Sequence, residues 1–173
     1  MTYSVHALPV GSVLAGYDIV RVIGEGGFGI TYEAVNPVTG YRVAIKEFFP
    51  TGLATRDGVS KLAYSQALAE RIEWALRKLK ATTTQLCRLQ HPHIVRVLDS
   101  MPGNNTGYIL MELLDGYTFE GWLLSRRAPP RPSEVRPIIE PVLDALDYVH
   151  GQGLIHRDIP PTTSSSAGTA ALC

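Results

Sequence analysis

A glycine cluster and a lysine are the clearest candidates for chemistry in the first third of the chain. Gly24-Glu25-Gly26-Gly27-Phe28-Gly29 fits the pattern Gly-x-Gly-x-x-Gly, whose glycines let backbone amides approach a polyphosphate without a Cβ in the way. Lys46 comes seventeen residues after Gly29 and ends the run Val43-Ala44-Ile45, so its ammonium could neutralise α- and β-phosphates. Alone, the cluster could be a structural hairpin turn and the lysine a surface residue. Together they favour a nucleotide-phosphate site.

The residues after the glycine cluster decide between two kinds of phosphate-binding fold. A dinucleotide-binding fold requires a helix directly after the glycines. Ile30 to Val35 instead has the character of a strand, as does Asp18 to Ile23 before the cluster. The context therefore predicts a hairpin that covers phosphates.

Further motifs continue in an order that is known from one family. After Val-Ala-Ile-Lys and a helical stretch come His91-Pro92-His93-Ile94-Val95, Met111-Glu112-Leu113-Leu114 and His156-Arg157-Asp158. The chain from Tyr17 to Ile159 thus resembles a eukaryotic-type (Hanks-type) serine/threonine protein kinase. The Lys46-Glu47-Phe48-Phe49-Pro50 extension and Glu73-Trp74 are similar to a bacterial subgroup of that family.

The resemblance implies an ATP site and a protein substrate. In that family, Ile23 and Ala44 would sandwich adenine, Met111 would be the gatekeeper, and the backbone at Glu112 and Leu114 would hydrogen-bond the base. Each apolar member could also be ordinary core. The phosphates would be held by Gly24, Gly26, Gly29 and Lys46, and Asp158 would be the catalytic base that accepts the substrate hydroxyl proton.

Departures from the family pattern predict that these 173 residues are catalytically inactive. The helix position of the glutamate that should pair with Lys46 is occupied by Thr82, unless the count back from His91 is out of register. The family lysine and metal-binding asparagine after Ile159 are Pro160 and Thr163, and no Asp-Phe-Gly is present. The family uses Mg²⁺ with ATP, and the ligands expected for the metal are missing here. A nucleotide-binding pseudokinase or protein-interaction fragment, and a product without function, remain alternatives.

The segment 160–173 is uncharged and rich in Ser, Thr and Ala, unlike anything before it. A hypothetical coding run for Pro-Asp-Asn-Ile-Leu-Gln-Arg-Gly-Asp-Gly-Ser-Pro-Val yields Pro161 to Cys173 when its first base is dropped. The family places the first five residues of that run, Pro-Asp-Asn-Ile-Leu, at this point. We therefore interpret the segment as a frameshifted tail, by mutation or sequencing error. A natural low-complexity terminus and an engineered sequence are the alternatives.

The helices and strands expected around these residues indicate an α+β fold like that of a protein kinase. We expect a leader at 1–16, an N-terminal lobe at 17–111 with a five-stranded antiparallel sheet and one main helix, and a partial helical C-terminal lobe at 112–159. The residues from Phe48 to Ser60 read as a loop and those from Leu62 to Leu89 as the main helix. A long helix capped by Ser133-Glu134 should leave part of its apolar face exposed.

Composition limits the classes of function. Apolar residues make up 45% of the chain, and 16 basic residues balance 16 acidic ones, so nothing supports nucleic-acid binding or attachment to a membrane surface. No signal peptide and no membrane segment of about 20 apolar residues is visible. Cys87 and Cys173 are too far apart for a disulfide framework or metal-ligand spacing, which indicates a cytoplasmic location.

Overall fold

A computed structural model describes residues 6–58, 60–155, 164–166 and 169–170, with Asp57 and the last two ranges described as backbone only. The chain forms two compact units. The first contains residues up to Arg88 together with Val97–Leu113, and the second contains Leu89–Arg96 and the residues from Leu114 onwards.

The first unit is built on a six-stranded antiparallel sheet. In chain order its strands are β1 (Val13–Leu14), β2 (Tyr17–Gly26), β3 (Gly29–Val35), β4 (Arg42–Phe48), β7 (Val97–Gly103) and β8 (Thr106–Glu112). The strands lie in the order β1-β2-β3-β4-β8-β7, so β4 and its terminal residues occupy the centre of the sheet. The hairpin β2–β3 turns at the glycine cluster, as the sequence predicts.

The structure corrects three predictions about the strands of the first unit. The leader adds a sixth strand, β1, which pairs with β2 through Val13 and Asp18. The segment read as a loop contains β5 (Thr55–Asp57), which pairs with β6 (Lys61–Ala63) in a separate hairpin. Leu62, the first residue of the predicted helix, therefore lies in a strand and is buried. Strands of two or three residues are too short for an alternation pattern to reveal them.

The hydrophobic core of the first unit lies against one face of the sheet, here called the packed face. Successive strand residues point to opposite faces, so Val43, Ile45 and Glu47 share the packed face while Ala44 and Lys46 share the other, here called the open face. Leader residues Leu8 and Leu14 complete the packed face. The buried apolar residues of this core are Leu8, Leu14, Ile19, Ile30, Tyr32, Ala34, Val43, Ile45, Phe49, Ala54, Leu62, Tyr108 and Leu110.

The main helix is α1 (Ala69–Leu86), preceded by a 3-10 turn at Gln66–Leu68. It is shorter at both ends than the predicted helix. It packs against β8 at Gly107, where a Cβ would lie 2.9 Å from Leu79 and 3.3 Å from Leu76. The hydroxyls of Thr83 and Thr84 bond back to the carbonyls of Leu79 and Lys80, which is the usual way threonine is accommodated in a helix.

The second unit contains β9 (Gly116–Thr118), α2 (Phe119–Leu124) and α3 (Pro132–Gly151), with β10 (Ser164–Ser166) pairing with β9 and β11 (Thr169–Ala170) pairing with β10. Helix α3 begins one residue before the predicted cap, and the Arg131 amide donates to the Glu134 carboxylate at 2.8 Å. This bond, with Arg126 nearby, lowers the pKa of Glu134. Ile139 and Leu143 remain exposed, as expected for that helix.

The His91-Pro92-His93 motif lies in the second unit and packs against α3. The His91 ring stacks on Tyr148 with centroids 5.1 Å apart, and its Nε2 is 3.2 Å from the Asp144 carboxylate. The Tyr148 hydroxyl accepts a bond from the Gln90 amide. These contacts give the motif a structural role in fixing residues 90–93 on the helix. None of the helices in the described part of the chain has the length and apolar character needed to span a membrane.

Candidate functional site

Lys46 lies on the open face of the sheet, next to the glycine hairpin. It is exposed, and strand pairing places it between Thr31 of β3 and Ile109 of β8. Its Cε lies 3.7 Å from the position that a Cβ on Gly29 would occupy. The structure therefore brings together the lysine and the last glycine of the cluster, two of the predicted phosphate-binding residues.

The glycines of the cluster occupy different environments. A Cβ on Gly29 would lie 2.6 Å from the Glu47 backbone oxygen, so only glycine fits at this close approach of β3 and β4. A Cβ on Gly26 or Gly27 would meet nothing within 4 Å, which leaves the turn open on that side. Gly24 faces Thr31 at ordinary contact distance, and Phe28 at the tip is 80% exposed. This open turn beside a lysine has the space and the donors that a polyphosphate requires.

The predicted adenine-binding residues lie on neighbouring strands. Ala44 is buried and stands opposite both Glu33 of β3 and Met111 of β8, so the small residue and the predicted gatekeeper are cross-strand neighbours. Met111 is partly buried. Ile23 is exposed, and it lies at an irregularity of β2 between Val22 and Gly24.

The backbone positions expected to bond adenine follow directly after the gatekeeper. Glu112 is the last residue of β8 and is paired with Val43. Leu114 follows two residues later along the chain, and it belongs to the second unit.

Lys46 forms no ion pair with any carboxylate in the described ranges. Thr82, predicted at the glutamate position of the helix, is exposed on α1. The two earlier acidic residues do not take over this role, since Glu70 is exposed and Glu73 pairs with Arg77 on the same helix. The ammonium of Lys46 is therefore held by neither Thr82 nor these two glutamates.

The predicted catalytic base is followed closely in the sequence by the residues that replace the family lysine and the metal-binding asparagine. Asp158, Pro160 and Thr163 lie outside the described residues. Among the described residues, no group of three or more His, Cys, Asp or Glu side chains is arranged to hold a metal ion.

A buried ionic cluster on the packed face, directly behind Lys46, was not predicted from the sequence. Glu47 has no exposed surface, and Arg56 pairs with it through both terminal nitrogens, at 3.2 and 2.9 Å. The hydroxyls of Tyr32 and Tyr108 donate to the two carboxylate oxygens at 2.6 and 3.1 Å. Every oxygen of this carboxylate is thus satisfied, as a buried charge requires.

The tyrosines of this cluster are held in the protonated, donating form. Burial is the main cause that raises the pKa of both Tyr32 and Tyr108, and the negative charge of Glu47 raises it further. Each hydroxyl also accepts one bond, Tyr32 from the Leu8 amide and Tyr108 from the side-chain amide of Asn104. The leader and the β7–β8 turn are thereby fixed to β4.

A second ionic cluster lies on the open face near Ala44. Glu33 is almost buried, and it pairs with Arg42 at 2.7 Å and with Arg21 at 2.6 Å. Burial alone would raise the pKa of Glu33, but the bond from Arg42 and the charges of both arginines outweigh it and lower the pKa. The carboxylate is therefore ionised at neutral pH and neutralised by its own neighbours.

Comparison with known proteins places the chain among protein kinases. Residues 17–162 match the family model described as protein kinase domain. The probable serine/threonine-protein kinase PknB of Lactococcus lactis is 30% identical over 166 residues, which cover 94% of this chain and 24% of that protein. The serine/threonine-protein kinase PknJ of Mycobacterium bovis is 33% identical over 156 residues, which cover 90% of this chain and 23% of that protein.

Solved structures agree with this relationship. The apo form of PpkA-294 superposes with a TM-score of 0.86 at 27% identity, covering 96% of this chain and 60% of that one. The PknI kinase domain of Mycobacterium tuberculosis superposes with a TM-score of 0.73 at 29% identity and the same coverage. The chain spans about a quarter of the length of these curated relatives and about 60% of the length of these solved kinases.

Proposed function

The chain belongs to the protein kinase family, in its serine/threonine branch, and from this premise we propose that its first unit binds ATP. The observation that carries the proposal is the exposed Lys46 beside Gly29, on the face of the sheet that the core leaves open. The Lys46 ammonium lies next to the open glycine turn, and no carboxylate among the described residues neutralises it. Such a cation is suited to bind a polyphosphate.

Each remaining predicted residue has a defined part in this proposal. Ile23 and Ala44 would contact the two sides of adenine, with Met111 behind it. Backbone groups at Glu112 and Leu114 would bond the base. Gly24, Gly26 and Gly29 would admit the phosphates close to the backbone, where the amide groups and Lys46 balance their charge.

We propose that the sequence is the N-terminal part of a longer kinase, and that the longer protein transfers the ATP γ-phosphate to serine or threonine of a protein. Asp158 would accept the hydroxyl proton, and Mg²⁺ would supply charge neutralisation on the phosphates when bound. The 173 residues themselves should not catalyse this step, because Pro160 and Thr163 replace the family lysine and asparagine and no Asp-Phe-Gly is present. We propose a cytoplasmic location, in agreement with Cys87, which is exposed and unbridged.

Titration with a fluorescent ATP analogue tests the binding proposal. Lys46→Met should raise the dissociation constant at least about tenfold, because one charge-assisted contact to phosphate contributes about 1.5–3 kcal/mol. Lys61→Met, which removes an exposed lysine from the β5–β6 hairpin, is the matched control and should leave the affinity unchanged. Equal affinity in the Lys46 variant and the wild type would exclude Lys46 from the site.

Radiolabelled ATP with a generic acceptor such as casein tests the proposed lack of activity. We expect nucleotide binding without incorporation of label by the 173-residue protein. Incorporation that is lost in Asp158→Asn would overturn the proposed inactivity. The same test can be made on a protein in which the missing metal ligands have been restored. If that protein binds ATP but still incorporates no label, the result would support the pseudokinase alternative.

The origin of the tail is tested at the level of the gene. We propose that Pro161 to Cys173 is a frameshifted continuation of the kinase sequence. An Asp-Phe-Gly codon run downstream in the neighbouring frame is the expected result, and its absence would show that the tail is a natural or engineered terminus.

A further inference from the structure

The glycine turn is bonded to the segment that follows Lys46. The Phe49 amide donates to the Phe28 carbonyl at 3.0 Å, and the Thr51 amide donates to the Gly27 carbonyl at 3.0 Å. The Thr51 hydroxyl lies 3.3 Å from the Gly26 carbonyl. These bonds extend the β3–β4 ladder beyond its last strand pair, Gly29 with Phe48. They use only carbonyl oxygens of the turn, so they consume none of the turn's amide groups that a phosphate would bind.

Residues 49–56, here called the tether, are themselves anchored on the packed face. Phe49 is 1% exposed, and the centroid of its ring lies 5.2 Å from that of the His6 ring and 5.5 Å from the Arg56 guanidinium carbon. Ala54 is also buried, and its amide bonds the Pro50 carbonyl. The tether therefore connects the exposed glycine turn with the core.

Arg56 closes the tether onto strand β4. Its guanidinium holds the Glu47 carboxylate through two bonds, and it also donates to the backbone oxygens of His6 and Ser60. Its side chain is 6% exposed. A single buried arginine thus joins the leader, the tether and the residue next to Lys46.

We propose that the tether positions the glycine turn over the phosphates of bound nucleotide, with Thr51 and Arg56 as positioning residues. This inference rests on the proposed ATP site. Glycine-rich turns have large conformational freedom, and a turn held on its carbonyl side presents its amide groups in one arrangement before the ligand arrives. Loss of the tether should therefore speed nucleotide release.

Amide hydrogen exchange in the unliganded wild type tests whether the tether exists. NMR should show the Phe49 and Thr51 amides exchanging at least about 100-fold more slowly than in an unstructured peptide. Exchange of both amides within about tenfold of the unstructured rate would overturn the proposal. In Arg56→Met these two amides should lose more protection than the Ile45 amide in central β4, whose protection should fall only as far as the free energy of unfolding does. Arg136→Met, from an exposed pair on α3, should leave all three amides unchanged.

Thr51→Pro tests the function of the tether in a protein that should fold. Thr51 is the second residue of a turn in which the Leu53 amide bonds the Pro50 carbonyl, and Gly52 has φ +79°. This arrangement fits a type II turn, which favours proline at the position of Thr51. The substitution removes the amide donor to Gly27 without opposing the turn. Thr51→Ser keeps both donors and is the conservative control.

Stopped-flow release of a fluorescent ATP analogue is the readout. We expect Thr51→Pro to release the nucleotide about tenfold faster, with its melting temperature within about 3 °C of the wild type, and Thr51→Ser to behave as the wild type. A release rate for Thr51→Pro within about twofold of the wild type would overturn the tether's role while leaving the ATP site intact. A wild type that binds no analogue would instead overturn the proposed function, and the exchange rates would still show whether the tether exists.

Discussion

Lys46 and Glu47 are adjacent in the sequence, yet they lie in opposite environments. Lys46 is exposed on the open face of the sheet and pairs with no described carboxylate. Glu47 is fully buried on the packed face and is bonded by Arg56, Tyr32 and Tyr108. The alternation of a β-strand produces this separation, because neighbouring side chains point to opposite faces.

The difference indicates that one strand serves two purposes. The packed face satisfies every charge internally, so its ionic residues act on stability. Lys46 on the open face has no carboxylate partner among the described residues, so we expect it to act on a ligand. Substitution of Arg56 should consequently change the free energy of unfolding, and substitution of Lys46 should change nucleotide affinity.

The largest expected effect is at Arg56. Arg56→Met leaves Glu47 buried without its counter-ion, which should lower the free energy of unfolding by about 3–5 kcal/mol. Urea unfolding followed by circular dichroism measures the change. Arg136→Met removes an arginine from an exposed pair and should cost less than about 0.5 kcal/mol. A loss below about 1 kcal/mol in the Arg56 variant would contradict the role assigned to the packed face.

Gly29, which lies close to the backbone of Glu47 and to the Lys46 side chain, should give the second largest effect. Gly29→Ala puts a Cβ 2.6 Å from the Glu47 backbone oxygen, so the β3–β4 pairing must shift, at a cost of about 1–3 kcal/mol. Gly26→Ala introduces the same methyl group into open space and should change stability by less than about 1 kcal/mol. Equal melting temperatures of the two variants would show that the close approach at Gly29 does not constrain the strand.

The tyrosines test the packed face at a smaller scale. Tyr32→Phe removes a short bond to Glu47 and leaves the buried Leu8 amide without an acceptor, so it should cost about 2 kcal/mol. Tyr108→Phe removes a longer bond at 3.1 Å and should cost about 1 kcal/mol. Thermal denaturation shows which of the two variants is less stable. If Tyr108→Phe lost more stability than Tyr32→Phe, the bond between Tyr32 and the Leu8 amide would not have the stabilising role proposed here.

Arg42 should give a small effect that depends on pH. Because the pKa of Glu33 is lowered in the folded state, its pairing stabilises the protein above the ordinary value of 4.5, and this contribution disappears as the pH falls through the lowered pKa. Arg42→Met should therefore cost about 0.5–1 kcal/mol at pH 7, since Arg42 is half-exposed and Arg21 remains. The difference from the wild type should shrink as the pH falls below 4.5 and through the lowered pKa of Glu33. A difference that grows on acidification would contradict this sign.

The open face could be predicted from the sequence far better than the packed face. The glycine cluster, Ala44 and Lys46 are consecutive motifs, and strand alternation is enough to place them together. The Glu47–Arg56 pair joins a strand to a segment read as a loop, and Tyr108 comes from a strand sixty-one residues further along. No local pattern encodes contacts between such distant residues. One sequence feature could have indicated the cluster. Glu47 alternates with the buried Val43 and Ile45 on the same face of β4, and a buried charge requires a partner.

The leader shows the same limit. Residues 6–14 have no clear period, and their burial depends on a packed face that only the folded sheet provides. The main helix was correctly predicted as an element, but its start was placed at Leu62, which lies in β6, seven residues before the helix begins at Ala69. Short strands and long-range pairs are therefore the features that sequence reasoning missed.

The most direct test of the two-faced strand is unfolding of Lys46→Met with and without ATP. Without nucleotide, its free energy of unfolding should lie within about 0.5 kcal/mol of the wild type, because Lys46 is exposed. ATP at about 100 times its dissociation constant should raise the free energy of unfolding of the wild type by about 2.7 kcal/mol. In Lys46→Met most of this increase should be absent. A variant that is destabilised by more than about 2 kcal/mol without ATP, or that keeps the full gain with it, would contradict the separation of stability and binding.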